Sequence, residues 1–161
     1  MEKQKQQKNI TRQISAGVIV YRLTKEGVKF LLLYHGGSYW NFPKGKIHTE
    51  EPETTFKAAL RELKEETGLQ PKDLQFNRNF KVYDRYIFKL GKEKVFKTVY
   101  YYLARTRQPI ISISPREHEG YGWFLYRDAV KMLRHQNLKN NLKKSFDLIR
   151  GIKPQVKQNH R

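Results

Sequence analysis

The most constraining feature of the sequence is a group of three glutamates in a short stretch that ends in a glycine. Glu62, Glu65 and Glu66 are spaced three and four residues apart, and Gly68 follows them. On an α-helix these spacings place the carboxylates on one face, where each pair repels by about a few tenths of a kcal/mol. A hard divalent cation such as Mg²⁺ removes this conflict and takes phosphate oxygens as further ligands. The pattern therefore favours a phosphate ester or anhydride as substrate.

An apolar stripe accompanies the carboxylates in the same stretch. Phe56, Leu60 and Leu63 are spaced four and three residues apart, as one side of an amphipathic helix requires. We predict a helix from about Glu53 to Thr67 that packs with its apolar side and exposes its carboxylates.

The stretch from Gly45 to Leu69 resembles the signature of the Nudix hydrolases, G-x5-E-x7-R-E-U-x-E-E-x-G-U, where U is a bulky apolar residue. From Arg61 onward every fixed position fits. Upstream, Gly45 lies sixteen residues before Arg61, where the pattern has fourteen, so two residues are inserted. Counting back from Arg61 assigns the first signature glutamate to Glu53, whereas counting forward from Gly45 assigns it to Glu51. A proline just ahead of the helix favours Glu53.

The resemblance implies roles for the signature residues. Arg61 would orient a signature carboxylate, and Glu117, outside the signature, would complete a metal site or take a proton from water. The alternative to a metal site is a solvent-exposed helix face on which Arg61 pairs with Glu65. The implied cofactor is Mg²⁺, with Mn²⁺ as a substitute. Its implied ligands are Glu62, Glu65, Glu66, Glu117 and, through its carbonyl, Gly45.

Further motifs narrow the resemblance. Residues 96–104 (FKTVYYYLA), residues 117–123 (EHEGYGW) and a terminal Leu-Lys-x-x-Leu helix look like those of the asymmetrical bis(5′-nucleosyl)-tetraphosphatases, the diadenosine tetraphosphate (Ap4A) hydrolases. The resemblance implies metal-dependent hydrolysis of nucleoside polyphosphates. The loop at residues 40–45 (WNFPKG) also occurs in mRNA-decapping relatives, so RNA 5′ ends stay open as substrates. A third alternative is an inactive nucleotide- or RNA-binding regulator, against which the intact glutamates argue.

Substrate contacts are predicted from charge and aromatic character. Lys44 and Lys97 would contact phosphates, because an ammonium group is a mobile point charge suited to polyphosphate. His118 is expected to orient its loop through hydrogen bonds rather than to act as a base. A nucleobase needs an aromatic face, and stacking contributes on the order of 1 to 3 kcal/mol. The candidates for stacking are Tyr39, Tyr102 and Tyr121.

Composition bounds the class of protein. With 161 residues, 38% of them hydrophobic, the chain is suited to one domain, which we predict at residues 13–150. Residues 1–12 and 151–161 are polar and basic and are predicted to be disordered tails. The net charge of +18 favours polyanionic partners, although surface lysines can also serve solubility alone. Six of the fifteen acidic residues lie at positions 50–66, so an acidic, metal-collecting patch is set in a basic surface.

Two kinds of sequence feature that are missing bear on the expected location of the protein. The sequence has no cysteine, which excludes disulfides and thiolate metal sites and fits a reducing compartment. Its longest apolar runs fall far short of the ~20 residues of a membrane helix, and the start has no apolar signal core. We expect a cytoplasmic monomer without membrane association.

The order of apolar patterns predicts the fold class. Strand patterns and helix patterns alternate in a way that indicates an α/β domain with a mixed β-sheet covered on both faces. The resemblance implies a Nudix-type α/β/α sandwich, with the signature forming a loop, a helix and a loop, and with a C-terminal helix. The predicted strands are 14–21, 28–34, 76–89, 94–105 and 121–126, with turns at Gly27 and Gly91, and the further helices are 127–133 and 138–149.

Overall fold

Two long parallel strands form the centre of the sheet. The computed structural model describes residues 10–152, and in it the first strand pairs along most of its length with a later one. The elements are β1 (Ile10–Thr24), β2 (Gly27–Tyr34), β3 (Trp40–Asn41), β4 (Lys44–Lys46), α1 (Thr55–Thr67), a 3₁₀ turn (Pro71–Asp73), β5 (Leu74–Leu90), β6 (Glu93–Thr106), β7 (Gly120–Leu125), α2 (Tyr126–Met132) and α3 (Gln136–Ile149).

The sheet is mixed in direction. Its main path runs β3-β2-β1-β6-β5, with β4 paired to β1 and β7 paired to β2. The β1–β6 pair is parallel and the other pairs are antiparallel. The β5–β6 register shifts between Phe76 and Lys81, so an irregular segment interrupts β5. Because side chains alternate between the two faces of a regular strand, this bulge changes which face the residues on its two sides take relative to each other.

Helices cover both faces of the sheet. α1 packs on one face through Ala58, Ala59 and Leu63, against the side chains of Val18 and Leu31 among others. α2 and α3 pack on the other face, where the core includes Ile19, Phe30, Phe42, Tyr101, Leu103, Ala129, Leu138 and Leu142. This arrangement confirms the α/β/α sandwich with a mixed sheet.

The signature helix begins two residues later than predicted. Thr54 caps it, because its side-chain oxygen accepts a hydrogen bond from the Lys57 backbone N–H at 3.2 Å. Gly68 ends it in the left-handed conformation, with φ at 75°. The predicted apolar stripe is wrong at its N-terminal end: Phe56 is exposed, and the helix buries its two alanines and Glu66 instead.

The predicted domain boundary also needs correction. Residues 10–12, assigned above to a tail, belong to β1, where Ile10 lies opposite Lys94 of the long partner strand. Of the predicted C-terminal tail, residues 151 and 152 are exposed and follow the last helix. The rest of the predicted tails, residues 1–9 and 153–161, lies outside the described residues. The two short strands β3 and β4 fall in a segment predicted to be a loop. Across positions 10–152, no helix combines the length and the hydropathy needed to cross a bilayer.

Candidate active site

Arg61 ties the loop before α1 to the helix. Its guanidinium donates to both carboxylate oxygens of Glu53, at 2.8 and 3.1 Å, and to Glu62 at 2.9 Å. It also donates to the Lys46 carbonyl at 3.0 Å. These contacts favour Glu53, reached by counting back from Arg61, over Glu51 as the first signature glutamate. Residues 48–52, just before Glu53, form an exposed loop.

This ion pair makes a prediction about acid stability. The hydrogen bonds from Arg61 lower the pKa of Glu53 from 4.5 to about 2. Because the folded pKa is the lower one, the pair stabilises the fold fully above pH 4.5 and the contribution is lost as the pH falls towards 2. In urea unfolding, the stability difference between wild type and Glu53→Gln should shrink across this window. A difference that stays constant down to about pH 3, or an equal effect of Glu51→Gln in the exposed loop, would contradict the assignment.

Glu66 is a buried carboxylate. Only 5% of it is exposed, and one oxygen accepts a hydrogen bond from the Lys44 backbone N–H at 2.9 Å. Its other oxygen lies 3.9 Å from Nε2 of His118. Burial, followed by the charges of Glu62 and Glu117, raises the pKa of Glu66 to about 8. In the absence of a cation this carboxylate is costly to ionise.

Glu62 lies directly against the signature glycine. A Cβ atom on Gly45 would overlap the Glu62 carboxylate, so only glycine leaves room for this side chain. Burial raises the pKa of Glu62, the hydrogen bond from Arg61 opposes this rise, and the neighbouring Glu65 and Glu117 add to it. The backbone of β4 at Gly45 is therefore in van der Waals contact with the carboxylate of Glu62.

The remaining predicted carboxylates lie at the rim of this cluster. The side chain of Glu65 is 57% exposed, and its oxygen lies 3.6 Å from the Arg61 guanidinium. Glu117 lies in the loop before β7 and is exposed. Ligand atoms of Glu117, Glu66 and His118 lie within 4.8 Å of one another. The structure thus brings the predicted signature and distal carboxylates together in one place.

Two histidines form the buried side of the cluster. The rings of His35 and His118 are 4.5 Å apart in an edge-on arrangement. Burial, His118 and Lys44 lower the pKa of His35 to about 4, and burial also lowers the pKa of His118. Both imidazoles are therefore neutral at pH 7. Within residues 10–152, Nδ1 of His118 has no hydrogen-bond partner.

The donor set fits a hard divalent cation. Glu62, Glu65, Glu66 and Glu117 offer carboxylate oxygens, which are the ligands that Mg²⁺ and Mn²⁺ prefer. Burial and neighbouring carboxylates raise the pKa of Glu66, and among residues 10–152 the buried Nδ1 of His118 has no hydrogen-bond partner. A divalent cation would relieve the repulsion between the carboxylates.

A cavity of about 430 Å³ lies on the α3 face of the sheet. Lys44 joins it to the carboxylates, because its backbone binds Glu66 while its side chain lines the cavity. Burial lowers the pKa of Lys44, and Glu66 and Asp84 oppose the change. The other lining side chains include Tyr39, Asn41, Asp84, Tyr86, Tyr101, His135 and Asn137.

Lys97 lies beside this cavity. It is opposite Tyr86 in the β5–β6 ladder, so both side chains are on the cavity face. Burial and the charges of Lys44 and Lys46 lower the pKa of Lys97 to about 8. A bound polyanion would relieve this repulsion among the lysines.

Of the three predicted stacking tyrosines, one lines the cavity. Tyr39 does so, and its hydroxyl accepts a hydrogen bond from the Asn41 amide at 2.9 Å. Tyr102 lies on the opposite face, where its hydroxyl is 2.6 Å from that of Thr55. Tyr121 packs against the core beneath α1. The structure does not bring Tyr102 or Tyr121 to the cavity.

Sequence reasoning missed Asp84 and the residues around it. Asp84 is only 7% exposed, and its Oδ1 accepts a hydrogen bond from the Asn137 amide at 2.8 Å. A carboxylate among the inward positions of a strand, between Val82 and Tyr86, is an unusual pattern that could have flagged it. His135 precedes α3, and nothing in its local sequence distinguished it.

Comparisons with known proteins identify the family of the chain. The NUDIX domain model matches residues 11–146. The asymmetrical bis(5′-nucleosyl)-tetraphosphatase of Caenorhabditis elegans is 29% identical over 140 residues, covering 86% of this chain and 97% of that protein. The enzyme of the same name from Mus musculus is 28% identical over 144 residues, covering 84% and 94%.

A solved structure gives the same result. The crystal structure of a C. elegans Ap4A hydrolase binary complex superposes with a TM-score of 0.74 at 26% identity, covering 86% of this chain and 98% of that one. With the family match spanning most of the chain and the signature residues gathered in one cluster, the chain belongs to the Nudix hydrolase family.

Proposed function

We propose that the chain is a divalent-metal-dependent hydrolase of dinucleoside polyphosphates of the Ap4A type. The observation that carries the proposal is the position of Lys44, whose backbone holds the buried Glu66 and whose side chain lines the adjacent cavity. A nucleotide in this cavity would direct its phosphates towards the carboxylate cluster. The names of the two tetraphosphatase relatives and of the C. elegans Ap4A hydrolase support the choice of substrate.

The carboxylate cluster would hold the metal. Its ligands would be Glu62, Glu65, Glu66 and Glu117, with the Gly45 carbonyl as a further donor. Mg²⁺ or Mn²⁺ bound there supplies charge neutralisation and an acidified water. Arg61 orients Glu62 and fixes the loop, and the neutral His118 packs beside Glu66 as a positioning residue.

The cavity residues would bind the nucleotide. Lys44 and Lys97 contact phosphate oxygens, and their positive charge compensates the polyanion. Tyr39 offers an aromatic face to a base, and Tyr86, which also lines the cavity, is a second candidate that the sequence did not suggest.

Product analysis tests the proposal. The enzyme is incubated in ¹⁸O-labelled water with Ap4A, 5′-triphosphorylated RNA, capped RNA and oxidised dGTP, each with and without Mg²⁺. We expect metal-dependent turnover that is fastest with Ap4A and yields AMP and ATP, one of them carrying the label. Faster turnover of either RNA would support the alternative of an RNA 5′-end pyrophosphohydrolase. Binding of nucleotide without turnover of any substrate would support the inactive regulator.

The dependence of kcat/KM on salt concentration distinguishes an Ap4A hydrolase from an RNA 5′-end pyrophosphohydrolase. The net charge of +18 is the observation that favours RNA as a substrate. A dinucleotide engages only the lysines near the cavity, so kcat/KM for Ap4A should fall modestly between low and physiological salt. Single-stranded RNA that neutralises Z phosphates would give a slope of about −0.7Z on logarithmic axes. A steep slope with Ap4A itself would contradict the expectation.

A further inference from the structure

Part of the sheet face that carries α1 is not covered by any described element. α1 packs over the middle of β1, while the start of β1 and the β5–β6 hairpin extend beyond it. Residues that lie opposite each other on paired strands point to the same face. We call this region the open sheet face and define it by Arg12, Lys81, Tyr83, Arg85, Phe96 and Tyr100.

Large apolar side chains are exposed on the open sheet face. Tyr83 is 54% exposed and Phe96 is 39% exposed. Ile14 on the neighbouring strand is 43% exposed, and Ile87, opposite Phe96, is 56% exposed and also reaches the edge of the cavity. Exposed large apolar side chains that are grouped on one face mark an interaction site more often than an inert surface.

The same surface is positively charged. The Arg85 guanidinium lies 4.5 Å from the centroid of the Tyr83 ring, and the Lys81 ammonium lies 4.8 Å from that of Tyr100. Arg12 and Lys89 add exposed cations on the same face. From position 81 to position 89, the β5 residues that point to this face and the β6 residues opposite them include no Asp or Glu. Aromatic rings and cations therefore alternate without acidic groups between them.

We propose that the open sheet face binds a single-stranded polynucleotide. Unpaired bases stack on aromatic rings whatever their sequence, and basic side chains beside the rings contact the phosphates. Sheets that recognise RNA stack two or three bases in this way. Tyr83 and Tyr100, whose ring centroids are 6.5 Å apart, and Phe96, four residues from Tyr100 along the same face of β6, supply the rings. Lys81, Arg85 and Arg12 supply the cations.

Charge argues against a second copy of the chain as the occupant. In a two-fold symmetric dimer built on this face, Lys81 and Arg85 would meet the same basic residues of the partner. A polyanion instead complements all of them. None of the six residues that define the open sheet face lines the proposed substrate cavity, and Tyr83 and Tyr86 point to opposite sides of β5. The inference therefore does not depend on the proposed function.

Fluorescence anisotropy with the full chain tests the proposal. The probe is a 12-nucleotide RNA with a 5′-hydroxyl, which carries no anhydride for the enzyme to cleave. We expect Tyr83→Ala to weaken binding by about 5-fold or more, and Tyr83→Ala with Phe96→Ala by about 20-fold or more. Lys81→Gln with Lys89→Gln should make the salt dependence shallower by about 1.4 on logarithmic axes. Hydrolysis of Ap4A should be unchanged in all of them.

The control removes the same charge elsewhere. Lys131→Gln with Lys144→Gln alters exposed lysines of α2 and α3 and should leave RNA binding nearly unchanged. Equal weakening by this control, or binding that is indifferent to Tyr83→Ala, would mean general electrostatics and would overturn the proposal. Preferential binding to anionic vesicles, or a dimer that Tyr83→Ala dissociates, would overturn it too. If circular dichroism finds the aromatic variants unfolded, the lysine pair and its control decide the matter.

Discussion

Replacing Glu66 with Gln is expected to lower kcat for Ap4A by on the order of 10²-fold or more. The amide keeps the shape of the side chain but loses the charge that a metal ion would meet in the buried cluster. Glu65→Gln should have a similar effect on kcat, although Glu65 is exposed. Steady-state kinetics at saturating Mg²⁺ measure both changes.

The stability of the Glu66 variant distinguishes a lost ligand from a damaged fold. In the metal-free protein, Glu66 is buried near Glu62 and Glu117, so a neutral Gln should leave Tm unchanged or raise it. Glu51→Gln, in the exposed loop before α1, is the matched control and should retain activity. Near-full activity of both Glu65→Gln and Glu66→Gln at saturating Mg²⁺ would show that the site assignment is wrong.

The second large effect is expected from Gly45→Ala. The new methyl group would occupy the space of the Glu62 carboxylate, which would have to move away from Arg61. Displacement of a catalytic group by about 1 Å can reduce the rate by about 10²-fold, so we expect kcat/KM to fall by at least about 10-fold. The backbone conformation of Gly45 does not require glycine. A loss of activity in this variant would therefore come from the overlap with Glu62 and not from backbone strain.

Gly120→Ala is the control for this substitution. A methyl group at Gly120 would meet its nearest neighbour, the Cβ atom of Tyr34, at an ordinary 4.0 Å. Both glycines lie in strands, and only one of them touches a carboxylate of the cluster. Equal activity of the two variants would contradict the close approach of Gly45 and Glu62.

The local sequence pattern predicted most of the strands and helices. The parts of strands that it missed depend on pairing with neighbouring strands. The apolar runs of β1 and β2 and the turn residues Gly27 and Gly91 were sufficient to identify both hairpins. The start of β1 extends to Ile10 because a long parallel neighbour is available, which local sequence does not reveal. β3 and β4 are too short to have a periodicity of their own and exist through pairing with β2 and β1.

The candidate site was also predictable from the sequence only in part. The signature carboxylates are close together in sequence and on one helix, so their proximity followed from spacing alone. Asp84 and His135 meet Lys44 only through the tertiary fold, and their positions could not be inferred. Three consecutive tyrosines, residues 100–102, must alternate between faces, and Tyr101 is fully buried as one of them had to be. Which face each would take depended on the sheet, and Tyr102, predicted as a stacking candidate, lies on the face opposite the cavity.

The bulge in β5 governs how this protein can be compared with its relatives. Phe76 and Lys81 flank it and point to the same face, although five positions apart they would point to opposite faces of a regular strand. The turn at Gly91 fixes the pairing of Lys81–Leu90 with β6, so the length of the bulge decides only how Leu74–Phe76 are oriented relative to those residues. In a homologue whose bulge is one residue shorter, the segment before the bulge would have to reverse its faces or give up its pairing with β6, while Asp84 and Tyr83 would keep theirs. Alignment gaps in this segment therefore matter more than substitutions.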